Sequence, residues 1–206
     1  MGIEFYYGSG SPFAWNVWLV LEHKRLPYEF NLLSFRNGEL KTKEYLAINP
    51  RGKVPALVDG DFALWEASAI VEYLDERYPN HPVFPSDPID RATVRRLSAE
   101  AYNYLYPPLR RLMDLQGSGG ETDLSAVLKD VSRELDYFED ALHGNRFAGS
   151  AADFTLYPLL ALAKRLGERR TQPGAGAHIR PKLDGFMQRI EALPYFPKTI
   201  PPHWKG

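Results

Sequence analysis

The stretch from Asn49 to Ile70, NPRGKVPALVDGDFALWEASAI, has four parts in fixed order. A loop of Asn, Pro and Gly ends at the Val54-Pro55 bond, and a short apolar run, Ala56 to Val58, follows it. Asp59-Gly60-Asp61 then reverses the chain into a second run, Phe62 to Leu64, and Glu66 opens a helix. An Asp-Gly pair between two apolar runs is the strongest short-range hairpin signal in a sequence, because glycine supplies the positive φ that tight turns require. A valine held extended by the following proline, feeding a strand beside a helix N-terminus, gathers free backbone donors and one acid. That collection suits an extended peptide ligand with charged ends.

Upstream, Ile3 to Tyr7 reads as a strand stopped by Gly8-Ser9-Gly10. Ser11-Pro12 has the form of a helix start, Ser at the cap and Pro at the first helical position. Val17, Leu19, Val20 and Leu21 lie in that helix, which should end near Lys24. Tyr28 to Leu33 is a second strand, and Gly38 to Ile48 is polar with a short helical patch around Glu44, Tyr45 and Leu46. After the hairpin, residues 66–78 read as a helix with Ile70, Tyr73 and Leu74 on one face. The order β-α-β-loop-β-β-α implies a small α/β sandwich.

Downstream, Pro79, Pro82, Pro85 and Pro88 form a stiff linker, so the reading divides the chain into residues 1–78, a linker at 79–88, and 89–206. The last part reads as all-helical. Residues 89–116 form a long helix that Pro107-Pro108 should kink or interrupt, and Gly117 to Gly120 break it. Residues 124–142 carry the stripe Val127, Leu128, Val131, Leu135 and Phe138. Ser150-Ala151-Ala152-Asp153 resembles a capping box with Asp in place of Glu, opening an apolar helix to about Leu166 that should be central to its domain. A loop at Gly174 to Ala177, a helix over 179–193 and a Pro-rich tail complete the chain.

The 206 residues suffice for one large domain or two small ones. Net charge is -1, which gives no electrostatic case for nucleic acid or an anionic membrane. There is no cysteine, so disulfides, thiolate metal sites and a Cys nucleophile are excluded, and a reducing compartment fits. MGIEFYYGSGS lacks the basic and apolar blocks of a signal peptide, and no apolar run approaches a membrane span, so the expected location is cytoplasmic. His23, His81, His143, His178 and His203 show no metal-ligand spacing, and no metal is expected.

SPFAWNV at residues 11–17, GELKTKEYLAINPRGKVPALVDGDFALWEASAIVEYL at 38–74 and GSAADFTLYP at 149–158 occur in an order and at separations that resemble the cytosolic glutathione transferases over essentially the whole chain. The resemblance implies a thioredoxin-like α/β N-terminal domain that binds glutathione, an all-α C-terminal domain, a homodimer and a cis Val54-Pro55 bond. It implies detoxification chemistry: the glutathione thiolate attacks a small hydrophobic electrophile, with glutathione as co-substrate. The same activated thiolate could serve a dehalogenase, an isomerase or a disulfide reductase. A non-catalytic binding or regulatory protein on the same fold is the remaining alternative.

The resemblance also implies roles for residues. Bringing a thiol from ~8.5 to about 6.5 needs roughly 2.7 kcal/mol of preferential thiolate stabilisation. One hydroxyl donor at the positive end of a helix is of the right size. Ser11 is the candidate donor: it precedes Val17 by the spacing of the serine-type classes, although a Ser before Pro is also simply a good cap. Ser9, Tyr6 and Tyr7 are the rivals, the tyrosines also reading as strand aromatics. Glu66 matches the acid for the γ-glutamyl amino group. Ala67 stands where the family usually has Ser, keeping the amide and losing the hydroxyl, while Ser68 lies about 100° further round the helix. Val54, before Pro55, would pair its backbone with the cysteinyl residue, and Lys41 and Lys53 match positions that meet the glycine carboxylate. Leu40 replaces a His found in a related class. Tyr102, Tyr106, Leu109 and Met113, at helical spacing, are candidates for the electrophile pocket beside Tyr7, and equally read as core.

Overall fold

The computed structural model describes residues 2–118, 124–142, 148–168 and 179–204. The loop expected at Gly174 to Ala177, part of the break at Gly117 to Gly120, and both His143 and His178 lie outside those residues. The described chain forms two compact units, residues 1–84 with 194–206, and residues 85–193.

The first unit is built on four strands: β1 (Ile3–Gly8), β2 (Tyr28–Leu33), β3 (Ala56–Asp59) and β4 (Phe62–Trp65). Their spatial order is β2-β1-β3-β4, with β1 parallel to β2 and the rest antiparallel. The Asp59-Gly60-Asp61 turn closes β3 on β4 as its sequence requires, with Gly60 at φ 63°. In β1 the alternation of Ile3, Phe5 and Tyr7 puts three buried side chains on one face, where the Tyr7 and Phe30 rings meet Trp18 of helix α1 (Pro12–His23). Tyr6 points to the other face, against Tyr45 of α2 (Lys43–Ile48). The helix after the hairpin, α3 (Ala67–Arg77), buries Ile70, Val71 and Leu74.

Helix α1 is buried nearly all round, and the tail accounts for it. Residues 194–204 were expected to close the helical domain. Instead they pack on α1: Trp15 Nε1 donates to Thr199 Oγ1 at 3.2 Å, the Trp204 ring meets Trp15 edge-on at 5.1 Å, and His23 Nδ1 lies 2.9 Å from the Tyr195 hydroxyl. The first half of the Pro-rich linker is likewise no free spacer. Lys24 Nζ reaches Asp75 at 3.2 Å and the carbonyls of Asn80 and His81, while Asp75 accepts the Val83 N–H at 2.7 Å.

The second unit is all-helical: α4 (Pro88–Glu100), α5 (Tyr106–Ser118), α6 (Leu124–Ala141), α7 (Ala151–Glu168) and α8 (Pro181–Glu191). Asp87 caps α4, accepting from the N–H groups of Ile89 and Asp90 at 3.0 Å. Helices α4 and α5 are joined by one π turn, Ala101–Leu105, with Tyr106 N–H bonded to the Ala101 carbonyl. Pro107 and Pro108 lack the N–H groups that would continue the α ladder, so the interruption falls one turn before them. Helix α5 continues through Gly117 to Ser118, where a break was expected. Val127, Val131, Leu135 and Phe138 are buried along α6, and α7 is buried on most sides, as expected of a central helix. Among the described residues no helix is long and apolar enough to cross a membrane.

Candidate functional site

Strand register decides which loops meet. Ala56 pairs with Tyr6 on one side and with Trp65 on the other. The residues just beyond those pairs therefore collect at one end of the sheet: Gly8 to Ser11 after β1, Val54-Pro55 before β3, and Glu66-Ala67 after β4. Three adjacent strands span roughly 10 Å, about the length of an extended tripeptide. Val54-Pro55 is cis.

Ser11 caps α1, its Oγ accepting the Ala14 N–H at 3.3 Å, and it is 9% exposed. Its hydroxyl hydrogen is not used by that bond, so the cap leaves it a donor at the helix's positive end. Tyr7 is 0% exposed, ringed by Phe5, Trp18 and Phe30. Burial pushes its hydroxyl up to about 12, against smaller downward pulls from the Gly10 N–H and from Ser9. Tyr6 spends its hydrogen on Glu4 Oε2 at 2.8 Å, and burial with that carboxylate takes it up to about 12. Tyr6 lies on the face away from Tyr7.

Glu66 holds φ 72°, ψ 115°, a region that non-glycine residues rarely adopt, and it is exposed. Its side chain makes no capping hydrogen bond to α3, so neither the acid nor the first-turn amides are consumed by a local cap. Ala67 is buried and Ser68 exposed, so the neighbouring hydroxyl does not fill the alanine's place. The loop before Pro55 is pinned from behind: the Lys53 carbonyl accepts from the Tyr45 hydroxyl at 2.5 Å and from Asn49 Nδ2 at 2.6 Å. Lys41 joins this loop, because a Cβ on Gly52 would lie 2.9 Å from its Nζ and 2.8 Å from the Leu40 carbonyl. Lys41 and Lys53 thus stand on adjoining, exposed segments.

In the second unit Leu109 is 0% exposed, a core residue, whereas Tyr102, Tyr106 and Met113 are half-buried. Tyr102 lies within the π turn and the later three beyond it, so the α-helical spacing that grouped all four does not hold from Tyr102 onward. The capping box takes a different form from the expected one. Asp153 Oδ2 accepts the Gly149 N–H at 2.9 Å, one residue before the cap. Among the described residues no group of three or more His, Asp or Glu side chains is placed to hold a metal ion.

Two neighbours of the site were not anticipated. A Cβ on Gly8 would lie 2.5 Å from Phe35 Cζ and 2.9 Å from Val54 Cγ2, so the exposed Phe35 ring covers the end of β1. His203 lies over the β1–α1 loop, with Nδ1 2.5 Å from Ser9 Oγ. The unusually apolar α1, Phe13 to Leu21, was the available signal: a helix without a polar face is covered on more than one side.

A family model described as "Glutathione S-transferase, N-terminal domain" matches residues 10–77. A zeta-class glutathione S-transferase of Euphorbia esula is 33% identical over 97% of this chain and 90% of its own length. A solved glutathione S-transferase from the Antarctic clam Laternula elliptica is 30% identical with a TM-score of 0.83, covering 100% of this chain and 94% of that one. A stringent starvation protein A homolog of Histophilus somni is 28% identical over 84% of this chain and 77% of its own.

Proposed function

We propose, starting from the plain fact that the chain belongs to the glutathione S-transferase family, that it is a serine-type glutathione transferase acting on a small apolar electrophile. The observation that carries the reading is Glu66. An exposed acid is held in a rarely populated backbone conformation, uncapped, at the N-terminus of α3 and one strand from the Val54-Pro55 bend. Backbone strain at such a point is retained where the surrounding fold requires it, commonly for a ligand.

Glu66 meets the γ-glutamyl ammonium, and the α3 amide at Ala67 meets the adjoining carboxylate. The extended backbone of Val54, before Pro55, pairs with the cysteinyl residue as an added strand would. Lys41 and Lys53 attract the glycine carboxylate. Ser11 donates its hydroxyl hydrogen to the sulfur. A hydrogen bond to a charged group contributes about 1.5–3 kcal/mol and a helix terminus up to about 1 more, which covers the ~2.7 kcal/mol needed. The thiol proton leaves to solvent, and the thiolate attacks the electrophilic atom as its leaving group departs. Tyr102, Tyr106 and Met113 are the candidates for electrophile contact that the resemblance gives. The resemblance adds a homodimer.

The second reading is a binding or regulatory protein, which Ala67 in place of a hydroxyl favours. Glutathione conjugation to an activated aryl halide separates the two. Turnover with retention on immobilised glutathione supports the transferase. Retention without turnover across aryl halides, epoxides and haloalkanes supports the binding protein, and neither retention nor turnover overturns both.

A further inference from the structure

Ser9 and His203 have the spacing of a nucleophile and its base, with a third group on the far ring nitrogen. That third group reverses the polarity. Trp204 Nε1 lies 2.9 Å from His203 Nε2, and an indole N–H can only donate. Nε2 is therefore the acceptor and Nδ1 carries the imidazole proton. In catalytic triads the far group accepts from the ring, freeing the near nitrogen to take the serine's proton. Here the near nitrogen donates instead, to Ser9 Oγ at 2.5 Å. Ser9 is not made a nucleophile. One of its lone pairs is engaged, and its own hydrogen, which in the absence of a ligand is directed at the Tyr7 hydroxyl, is made a stronger donor for which a bound thiolate would compete.

The arrangement is held from several directions. Trp204 packs on Trp15 at 5.1 Å, and Trp15 is bonded to Thr199, so the tail that carries His203 is fixed to the helix that Ser11 caps. Gly10, between the two serines, has φ 87°, and a Cβ there would lie 2.7 Å from His203 Cε1. Only a glycine allows both the turn and the imidazole above it.

We propose that His203, oriented by Trp204, is a positioning residue that makes Ser9 a second hydroxyl donor to the glutathione thiolate, beside Ser11. The proposal rests on the transferase reading, and the following experiment separates their failures. Bound glutathione is titrated by thiolate absorbance, with kcat and KM for glutathione, in the wild type, His203→Ala, His203→Asn, Ser9→Ala and the double variant Ser9→Ala/His203→Ala. Asn restores an N–H donor near the Nδ1 position. His203→Ala is expected to raise the bound thiol pKa by about half a unit, a roughly 3-fold drop in the thiol's acid dissociation constant. KM for glutathione should stay unchanged, and His203→Asn should recover most of the loss. Ser9→Ala should raise the pKa at least as far, and the double variant no further than Ser9→Ala alone. An unchanged thiol pKa in His203→Ala, no rescue by Asn, or an effect of His203→Ala that persists without Ser9 would overturn the proposal while leaving the transferase reading intact. A wild type that binds no glutathione overturns both.

Discussion

The Oγ of Ser11 accepts the backbone N–H of Ala14 at 3.3 Å, which makes one side chain both the cap of α1 and a free hydroxyl donor. Capping uses an oxygen lone pair, whereas thiolate stabilisation uses the hydrogen, so the two roles do not compete. The helix start that reads as punctuation in the sequence is therefore also suited to hold a developing negative charge.

Glu66 couples stability to binding. Glu66→Gly should relieve the backbone at φ 72° and raise unfolding free energy by about 1 kcal/mol. The same change removes the acid and should weaken glutathione binding about tenfold, in line with a lost charged hydrogen bond. Glu66→Gln keeps the strained backbone and should lose affinity without gaining stability. Urea unfolding and calorimetric titration read the two effects separately. Equal stability of the Gly variant and the wild type would show that the conformation is unstrained.

Ala67 marks a missing hydroxyl at the same terminus. Ala67→Ser should tighten glutathione binding by about 1 kcal/mol, near fivefold. Equal dissociation constants for the two chains would show that the hydroxyl is not missed.

Asp153 makes the second unit sensitive to pH. Burial pushes its carboxyl up to about 7, despite the Gly149 N–H and Arg189, which pull it down. The folded-state value lies above the unfolded one, so this group's stabilisation is full below about pH 4 and is lost as pH rises through about 7. Asp153→Asn keeps an acceptor for Gly149 and removes the titration. The stability difference between wild type and variant, measured by denaturant midpoint, should shift in the variant's favour between pH 4 and 8. A difference that does not change with pH would contradict the assignment.

Lys24 and Asp75 are both buried, their side chains 0% and 5% exposed. Lys24→Met leaves Asp75 charged in the interior and releases the Asn80 and His81 carbonyls, a loss of about 3 kcal/mol. Replacing Asp75 with Leu as well should not restore full stability, because the Val83 N–H then loses its acceptor. A Lys24→Met chain within 1 kcal/mol of wild type would show that the pair is not structural.

Local signals carried much of the fold. Asp59-Gly60, Ser11-Pro12 and Pro107-Pro108 each act through their own backbone, so the turn, a helix start and the interrupted helix were legible. The π turn was not, because the sequence shows that two N–H groups are missing and not how the preceding carbonyls adjust. Glu66 and Ser11 were legible as candidates, through the family resemblance and their place beside helix starts. His203 and Phe35 were not. His203 meets Ser9 across 194 residues, and Phe35 sits beside Gly8 only because β2 runs parallel to β1. The tail's attachment to α1 was visible only as a helix too apolar to have one covered face.

Titration of bound glutathione in Ser11→Ala and Tyr7→Phe decides which hydroxyl stabilises the sulfur. Ser11→Ala should raise the bound thiol pKa by at least one unit, toward the ~8.5 of a free thiol. Tyr7→Phe, which alters a ring buried among Trp18 and Phe30, should leave it within a few tenths. A rise in the tyrosine variant alone, with the serine variant unchanged, would place thiolate stabilisation on Tyr7 and contradict the serine-type assignment.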